Sequence, residues 1–252
     1  MISVTIMGFG NVGRHLYAAF HNASEVDRVQ VYNRSKVMHN PEEAVIISKL
    51  SELQPTDAYF IALPDDHIAD FSEKLPFHNG LVAHTSGSVP LTKLSGHNRR
   101  AVFYPLQSFS KDTRVDFNAI PICVEAENES DLKMLSKLGQ CISTKVVEIN
   151  SEDRGKLHLA AVFVNNFVNH LYTISEALLN EHSLDFDLLK PLIEETADKI
   201  SRVSPYDAQT GPARRNDQKT IEKHMDLLTN DRYRALYTTF TKSIQETYGK
   251  EL

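Results

Sequence analysis

Gly8-Phe9-Gly10-Asn11-Val12-Gly13 follows a short apolar run, Ile2 to Met7, and opens onto Val12, Leu16, Ala19 and Phe20. That order reads as a buried strand, a glycine turn and a helix with one apolar face. Gly8 suits the tight turn, Gly10 lets a pyrophosphate approach the backbone, and Gly13 lets the helix pack closely on the strand. The helix start then offers free N–H groups and a partial positive charge to phosphates. The whole stretch, Gly8, Phe9, Gly10, Asn11, Val12 and Gly13, is therefore a candidate dinucleotide site; the bland alternative is an ordinary glycine turn.

The second strand, Arg28 to Tyr32, ends at Asn33-Arg34-Ser35, twenty residues beyond Gly13. An NAD-specific site usually places an acidic side chain there, on the ribose 2′-hydroxyl. Asn33, Arg34 and Ser35 instead suit a 2′-phosphate, so NADP(H) is expected in preference to NAD(H). The alternative is a polar turn with a solvated arginine.

Strand and helix signals alternate onward through Ala44–Ser48, Ala58–Leu63, a helix near His67 to Leu75, Leu81–His84 and Arg100–Tyr104. Two further strands, 118–125 and 144–149, flank a helix over 130–139 and extend the sheet at one edge. Apolar strands with helical crossovers imply a mainly parallel sheet covered on both faces. Ligands bind beyond the carboxyl ends of such strands. Leu63 and Pro64, Thr85, Ser86 and Ser88, and Gln107 are thus expected along one crevice with the glycine turn. Leu63, Pro64 and Thr85 would touch cofactor, and Ser88 and Gln107 substrate.

After Ser151 the strand signals stop, and helical patterns cover 152–180, 187–203, 217–228 and 232–248. The expected organisation is an α/β domain over 1–151 and an all-α domain over 152–252. The second cannot bury all its apolar faces alone, so a homodimer is expected. His158, Val162, Asn165, Asn166 and Asn169 fall on one side of the long helix by α-helical spacing. They read either as a polar stripe facing the cofactor or as a solvated edge. Asp217 is a sensible N-cap. Arg214 and Arg215 precede that helix start and oppose its dipole, unless an anionic ligand lies there.

The chain of 252 residues carries 41% hydrophobic and 24% charged residues and a formal net charge of -6. The charge argues against nucleic-acid or anionic-membrane binding. No apolar run approaches the ~20 residues that span a bilayer. No signal peptide is visible, and Cys123 and Cys141 lack ligand spacing, so a cytoplasmic protein without a metal site is expected.

These motifs together resemble bacterial Rossmann-like or deazaflavin-dependent NADP oxidoreductase-like proteins with a C-terminal helical domain of unknown function. The resemblance rests on Gly8 to Gly13, His84-Thr85-Ser86-Gly87-Ser88, Tyr104 to Phe109, the His158–Asn166 helix and Thr210 to Arg214. It implies membership of the 6-phosphogluconate, 3-hydroxyisobutyrate, pyrroline-5-carboxylate and ketopantoate reductase superfamily. It further implies a Rossmann-type sheet followed by an all-α dimerisation domain, and NADP-dependent oxidoreduction of a small, anionic substrate. Hydroxyacid dehydrogenases of that superfamily carry a lysine four residues before an asparagine on the long helix. If Asn166 is that asparagine, the lysine position holds Val162, which transfers no proton. His158 lies one turn earlier on the same face, and histidine is the residue type suited to general acid–base work near neutral pH. Expected catalytic residues are therefore His158, Asn165, Asn166 and Ser86, with Arg214 holding the substrate anion. The competing expectation is a non-catalytic NADP(H)-binding sensor or assembly protein.

Overall fold

The computed structural model describes residues 1–35, 44–110, 113 and 115–249. The chain divides into two compact units, Met1–Asn166 and Phe167–Leu252.

The first unit is built on one eight-stranded sheet of order β3-β2-β1-β4-β5-β6-β7-β8. Its strands are β1 (Ile2–Met7), β2 (Val26–Tyr32), β3 (Ile46–Ile47), β4 (Ala58–Ile61), β5 (Leu81–His84), β6 (Arg99–Pro105), β7 (Ile122–Ala126) and β8 (Val146–Glu148). All neighbours pair parallel except β6 and β7, which run antiparallel. Strand order reverses about β1, so the crevice beyond β1 and β4 is the switch point where such sheets take ligands. Phe20, Phe60 and Phe103 pack together within the core on one face of the sheet.

Helices α1 (Asn11–His21), α2 (Asp65–Glu73) and α3 (Glu129–Gln140) are the crossovers. The second begins at Asp65 rather than near His67. Pro64 stands at its N-cap position and Asp65 and Asp66 occupy the first turn, where negative charge meets the helix dipole favourably.

Helix α4 (Ser151–Ala161) starts on Asn150, whose side chain accepts the Asp153 N–H, and it belongs to the first unit. Strands end with β8, while the compact units divide at 166/167 because α4 packs on the sheet. The tie is Arg154, fully buried and ion-paired with Glu125 of β7, with its other guanidinium arm on the Val89 carbonyl. Ser151 completes the knot by donating its backbone N–H and its hydroxyl to Glu125.

The helical pattern over 152–180 forms without a gap, but not at α pitch throughout. Val162–Phe167 is a π-helical segment, and α5 (Val168–Asn180) follows it. The six residues VFVNNF are β-branched, aromatic or asparagine, all weaker α-helix formers than alanine or leucine.

The second unit is helical, with α5, α6 (Lys190–Lys199), α7 (Pro205–Ala208), α8 (Gln218–Leu227) and α9 (Asp231–Tyr248). Pro191 sits in the first turn of α6, and Asp217 caps α8 by accepting the Thr220 N–H. Among the described residues of this unit only three apolar ones, Ile174, Ala213 and Leu228, are buried. No helix among the described residues is long and apolar enough to cross a membrane.

Arg154→Ala leaves Glu125 without its buried counter-charge. It is expected to cost about 3–5 kcal/mol, read as a lowered urea midpoint with an unchanged m-value.

Candidate functional site

The glycine turn is held by contacts no side chain could survive. Gly8 has φ +105°, and a β-carbon there would stand 2.4 Å from the Ala62 carbonyl oxygen. A β-carbon on Gly13 would stand 2.0 Å from the Gly8 carbonyl oxygen. Gly10 differs from both. Its φ of -79° suits any residue, and a β-carbon there meets nothing within 4 Å. Gly10 is also the N-cap of α1, which has no side-chain cap and no acidic residue in its first turn. An open, uncapped helix start therefore faces the switch point.

Asn33 ties this turn to the end of β2. Its side-chain oxygen accepts the Phe9 N–H at 3.1 Å and its amide donates to the Ser35 carbonyl at 2.8 Å. Arg34 and Ser35 beside it are exposed. On the other flank Asn11 donates to the Phe109 carbonyl at 2.9 Å, and Arg14 lies 4.9 Å over the Phe9 ring.

Further along, His84 of β5, Val102 of β6 and Glu125 of β7 are register partners and project to one face of the sheet. Two residues on, Tyr104 pairs with Cys123 on that face, and Leu157 of α4 packs against the group. One turn beyond Arg154 on α4, the Nδ1 of His158 meets the Tyr104 hydroxyl at 3.1 Å. Gly87 presses on both: a β-carbon there would lie 2.6 Å from His158 Nδ1 and 2.8 Å from Tyr104 Cζ. Burial, above all, pushes the Tyr104 phenol up to about 12.

The turn after β5 is braced from within. The Ser86 N–H donates to His84 Nδ1 at 3.2 Å, and Ser86 Oγ accepts the Ser88 and Val89 N–H groups at 3.1 Å each. Ser88 donates to Asp65 at the start of α2. Burial, then the Arg154 charge, push His84 down to about 3, so it stays neutral. Among the described residues no group of three or more His, Cys, Asp or Glu is placed to hold a metal.

A Bacteroides fragilis crystal structure of a proposed NADP oxidoreductase is 35% identical to this chain, covers 97% of it and 98% of itself, and superposes with TM-score 0.86. The chain belongs to that protein's family. Residues 120–244 match the domain of unknown function DUF2520. A Thermotoga maritima protein, TM1727, is 23% identical over 98% of this chain and 99% of its own, with TM-score 0.75. Pyrroline carboxylate reductase from Plasmodium falciparum, solved with NADP bound, shares the fold at 15% identity and TM-score 0.61, with 98% of this chain and 97% of that one covered. No curated protein matches the chain in sequence.

Within the first unit the structure gathers much of the expected site. Gly8 to Gly13 and Leu63 meet at the switch point, where the Leu63 side chain abuts Gly8, and Pro64 is exposed beside it. Thr85 is buried, with its backbone N–H on the Ile61 carbonyl. Ser86 is also buried and spends its oxygen on the turn, so it serves as a brace more than as a free hydroxyl. Gln107 is exposed and caps the Ser108 N–H.

Three expectations need correcting. Asn33 has little left for a phosphate, because both ends of its amide are engaged. Asn165, Asn166 and Val162 lie in the π segment, where one extra residue per turn breaks the α spacing that aligned them with His158. Arg214 does not oppose the α8 dipole. Its guanidinium donates to the Gln209 and Asp207 carbonyls at the end of α7 and lies 5.0 Å over the Tyr248 ring. A cation on helix carbonyls is favoured, so no anion is required to explain it. Tyr104 lies in the Tyr104–Phe109 motif without a sequence signal for its partner, which only β6 register and the α4 contact reveal.

His84 sets a pH dependence. Its folded pKa is depressed from 6.5 to about 3, so the unfolded chain binds the extra proton between those values. The stability it contributes is complete above about pH 6.5 and is lost as pH falls toward 3. Urea titrations from pH 7 to 4 should show a steeper fall for the wild type than for His84→Asn, whose side-chain oxygen still accepts the Ser86 N–H. Parallel curves would dismiss this role.

Proposed function

We propose that the protein is an NADP-dependent oxidoreductase acting on a small, anionic substrate, within the wider 6-phosphogluconate and pyrroline-5-carboxylate reductase group. The observation that carries this reading is Gly10. Backbone conformation and protein packing explain Gly8 and Gly13, yet neither demands glycine at position 10. A ligand lying against the backbone there does, and the uncapped α1 start offers its N–H groups to a pyrophosphate. Arg34, exposed at the end of β2, supplies a cation for a 2′-phosphate. The nicotinamide, which supplies hydride chemistry when bound, would be served by the residues at the ends of β5 and β6. His158 then exchanges a proton or hydrogen bond with the substrate. The alternative is a sensor without turnover, which gains if Asn166 matches the superfamily's asparagine, because Val162 then holds the lysine position and transfers no proton.

Gly10→Val tests the carrying observation. The apoprotein should melt like the wild type, since open space surrounds the new side chain, while stabilisation by NADPH disappears. NADPH should stabilise the wild type more than NADH, and Arg34→Ala should weaken NADPH about tenfold or more, the loss of one charge-assisted hydrogen bond, while sparing NADH. Equal stabilisation by both cofactors would remove the NADP preference. Binding without NADPH oxidation by any of a panel of carbonyl and imine compounds would favour the sensor.

The second unit is read as a dimerisation domain. Its described helices expose Leu188 at 68%, Leu192 at 63% and Leu227 at 68% while burying almost nothing apolar, which a second copy would cover. Sedimentation equilibrium should give twice the chain mass, and Leu188→Glu with Leu192→Glu should lower it to one chain.

A further inference from the structure

The geometry points to Tyr104 as the residue that decides how His158 presents itself: the buried phenol donates to Nδ1, the ring proton sits on Nε2, and the histidine meets a substrate as a hydrogen-bond donor. This deepens the reading of His158 as the substrate-facing group and rests on it.

The tautomer follows from donor accounting. Tyr104 lies on β6 with 8% of its surface exposed, and its hydroxyl has one polar partner among the described residues, His158 Nδ1 at 3.1 Å. Burial makes the phenol a weaker acid than free tyrosine, so it keeps its hydrogen. A buried hydroxyl that keeps its hydrogen must place it on an acceptor, and only Nδ1 is there to take it. A neutral imidazole has one N–H and one acceptor, and the bond made by one nitrogen fixes the state of the other.

Packing enforces the same outcome. The Gly87 backbone closes over the Nδ1 edge so tightly that a methyl group would fall 2.6 Å from it. The Nε2 edge is the one left for a solute. Arg154, one turn earlier on α4, pins the helix through Glu125 and the Val89 carbonyl, so the ring cannot withdraw from Tyr104 by sliding. The chemical consequence is directional. An Nε2–H group stabilises an oxygen or nitrogen that is gaining negative charge, as a carbonyl or imine does during reduction. It is the wrong state for pulling a proton from a hydroxyl. Tyr104 is thus a positioning residue that presents His158 as a hydrogen-bond donor to the reacting oxygen or nitrogen.

Two measurements on the full chain test this without a substrate. In long-range proton–nitrogen spectra above the titration of the ring, wild-type His158 should show a protonated Nε2 and a bare Nδ1 as a single tautomer, and Tyr104→Phe should show an averaged mixture. Diethyl pyrocarbonate attacks an unprotonated ring nitrogen. With Nδ1 covered and Nε2 protonated, His158 should be modified more slowly than exposed His67, and Tyr104→Phe should raise its rate several-fold with His67 unchanged. A wild-type Nδ1–H tautomer, a wild-type His158 rate equal to that of His67, or identical behaviour in Tyr104→Phe would overturn the proposal. The wild-type spectrum decides even if the variant misfolds. NADPH-induced stabilisation, measured on the same samples, reports separately on the cofactor reading.

Discussion

Everything at the mouth of the first unit depends on a contact between two backbones. Gly13 of α1 comes so near the Gly8 carbonyl that a β-carbon would stand 2.0 Å from the oxygen. That approach sets the distance between α1 and β1, and Gly8 in turn lies against Ala62 after β4. The helix start is thereby fixed over the point where strand order reverses. Asn33 adds the third side by joining Phe9 to the end of β2. A rigid frame of three strand ends and one helix is the result, and its floor is main chain. What such a floor offers a ligand is main-chain N–H groups and a helix dipole.

A second constraint operates across the sheet. Arg154 is fully buried, and a buried guanidinium is tolerable only with its charge and hydrogen bonds met. Glu125, the Val89 carbonyl and Ser151 meet most of that demand. These partners come from β7, from the turn after β5 and from α4 itself, so one side chain staples three segments. The same charge helps hold His84 neutral. It therefore shapes the electrostatics beneath the site as well as the position of His158 above it. Replacing such a pair by hydrophobic residues is often neutral for stability, which suggests that its value here lies in placing α4 and not in strengthening the fold.

How much of this could be read from residues alone varied with the range of the interaction. The glycine turn, the alternation of strands and helices, and the Asp217 cap are local patterns, and they appear where the pattern places them. Features that failed depend on partners far along the chain. Asn33 looked like a phosphate ligand because its amide is polar, but its engagement with Phe9 spans 24 residues. Arg214 looked misplaced against α8 because the end of α7 was not visible as a helix. The π segment was hidden because hydrophobic periodicity assumes the α pitch, and one added residue per turn is a small defect in a long pattern. Tyr104 was legible as a β-strand aromatic, and nothing in the sequence announced its histidine, 54 positions further on.

The two constraints divide the chemistry. The glycine frame determines what can lie at the switch point but has no group that exchanges a proton. His158, proposed to supply that capacity, sits on α4, whose geometry is set by Arg154 through Glu125 on the same face of the sheet and by Gly87 at the Nδ1 edge. The glycine frame and the His158–Tyr104 pair therefore rest on separate packing contacts within one unit. A substitution can weaken one without the other: Gly10 lies in open space and contributes nothing to α4, whereas Gly87 touches His158 and Tyr104 and has no part in the α1 start. His158 stands one turn after the Arg154 anchor and before the π segment begins, at a helix position that the sheet holds in register.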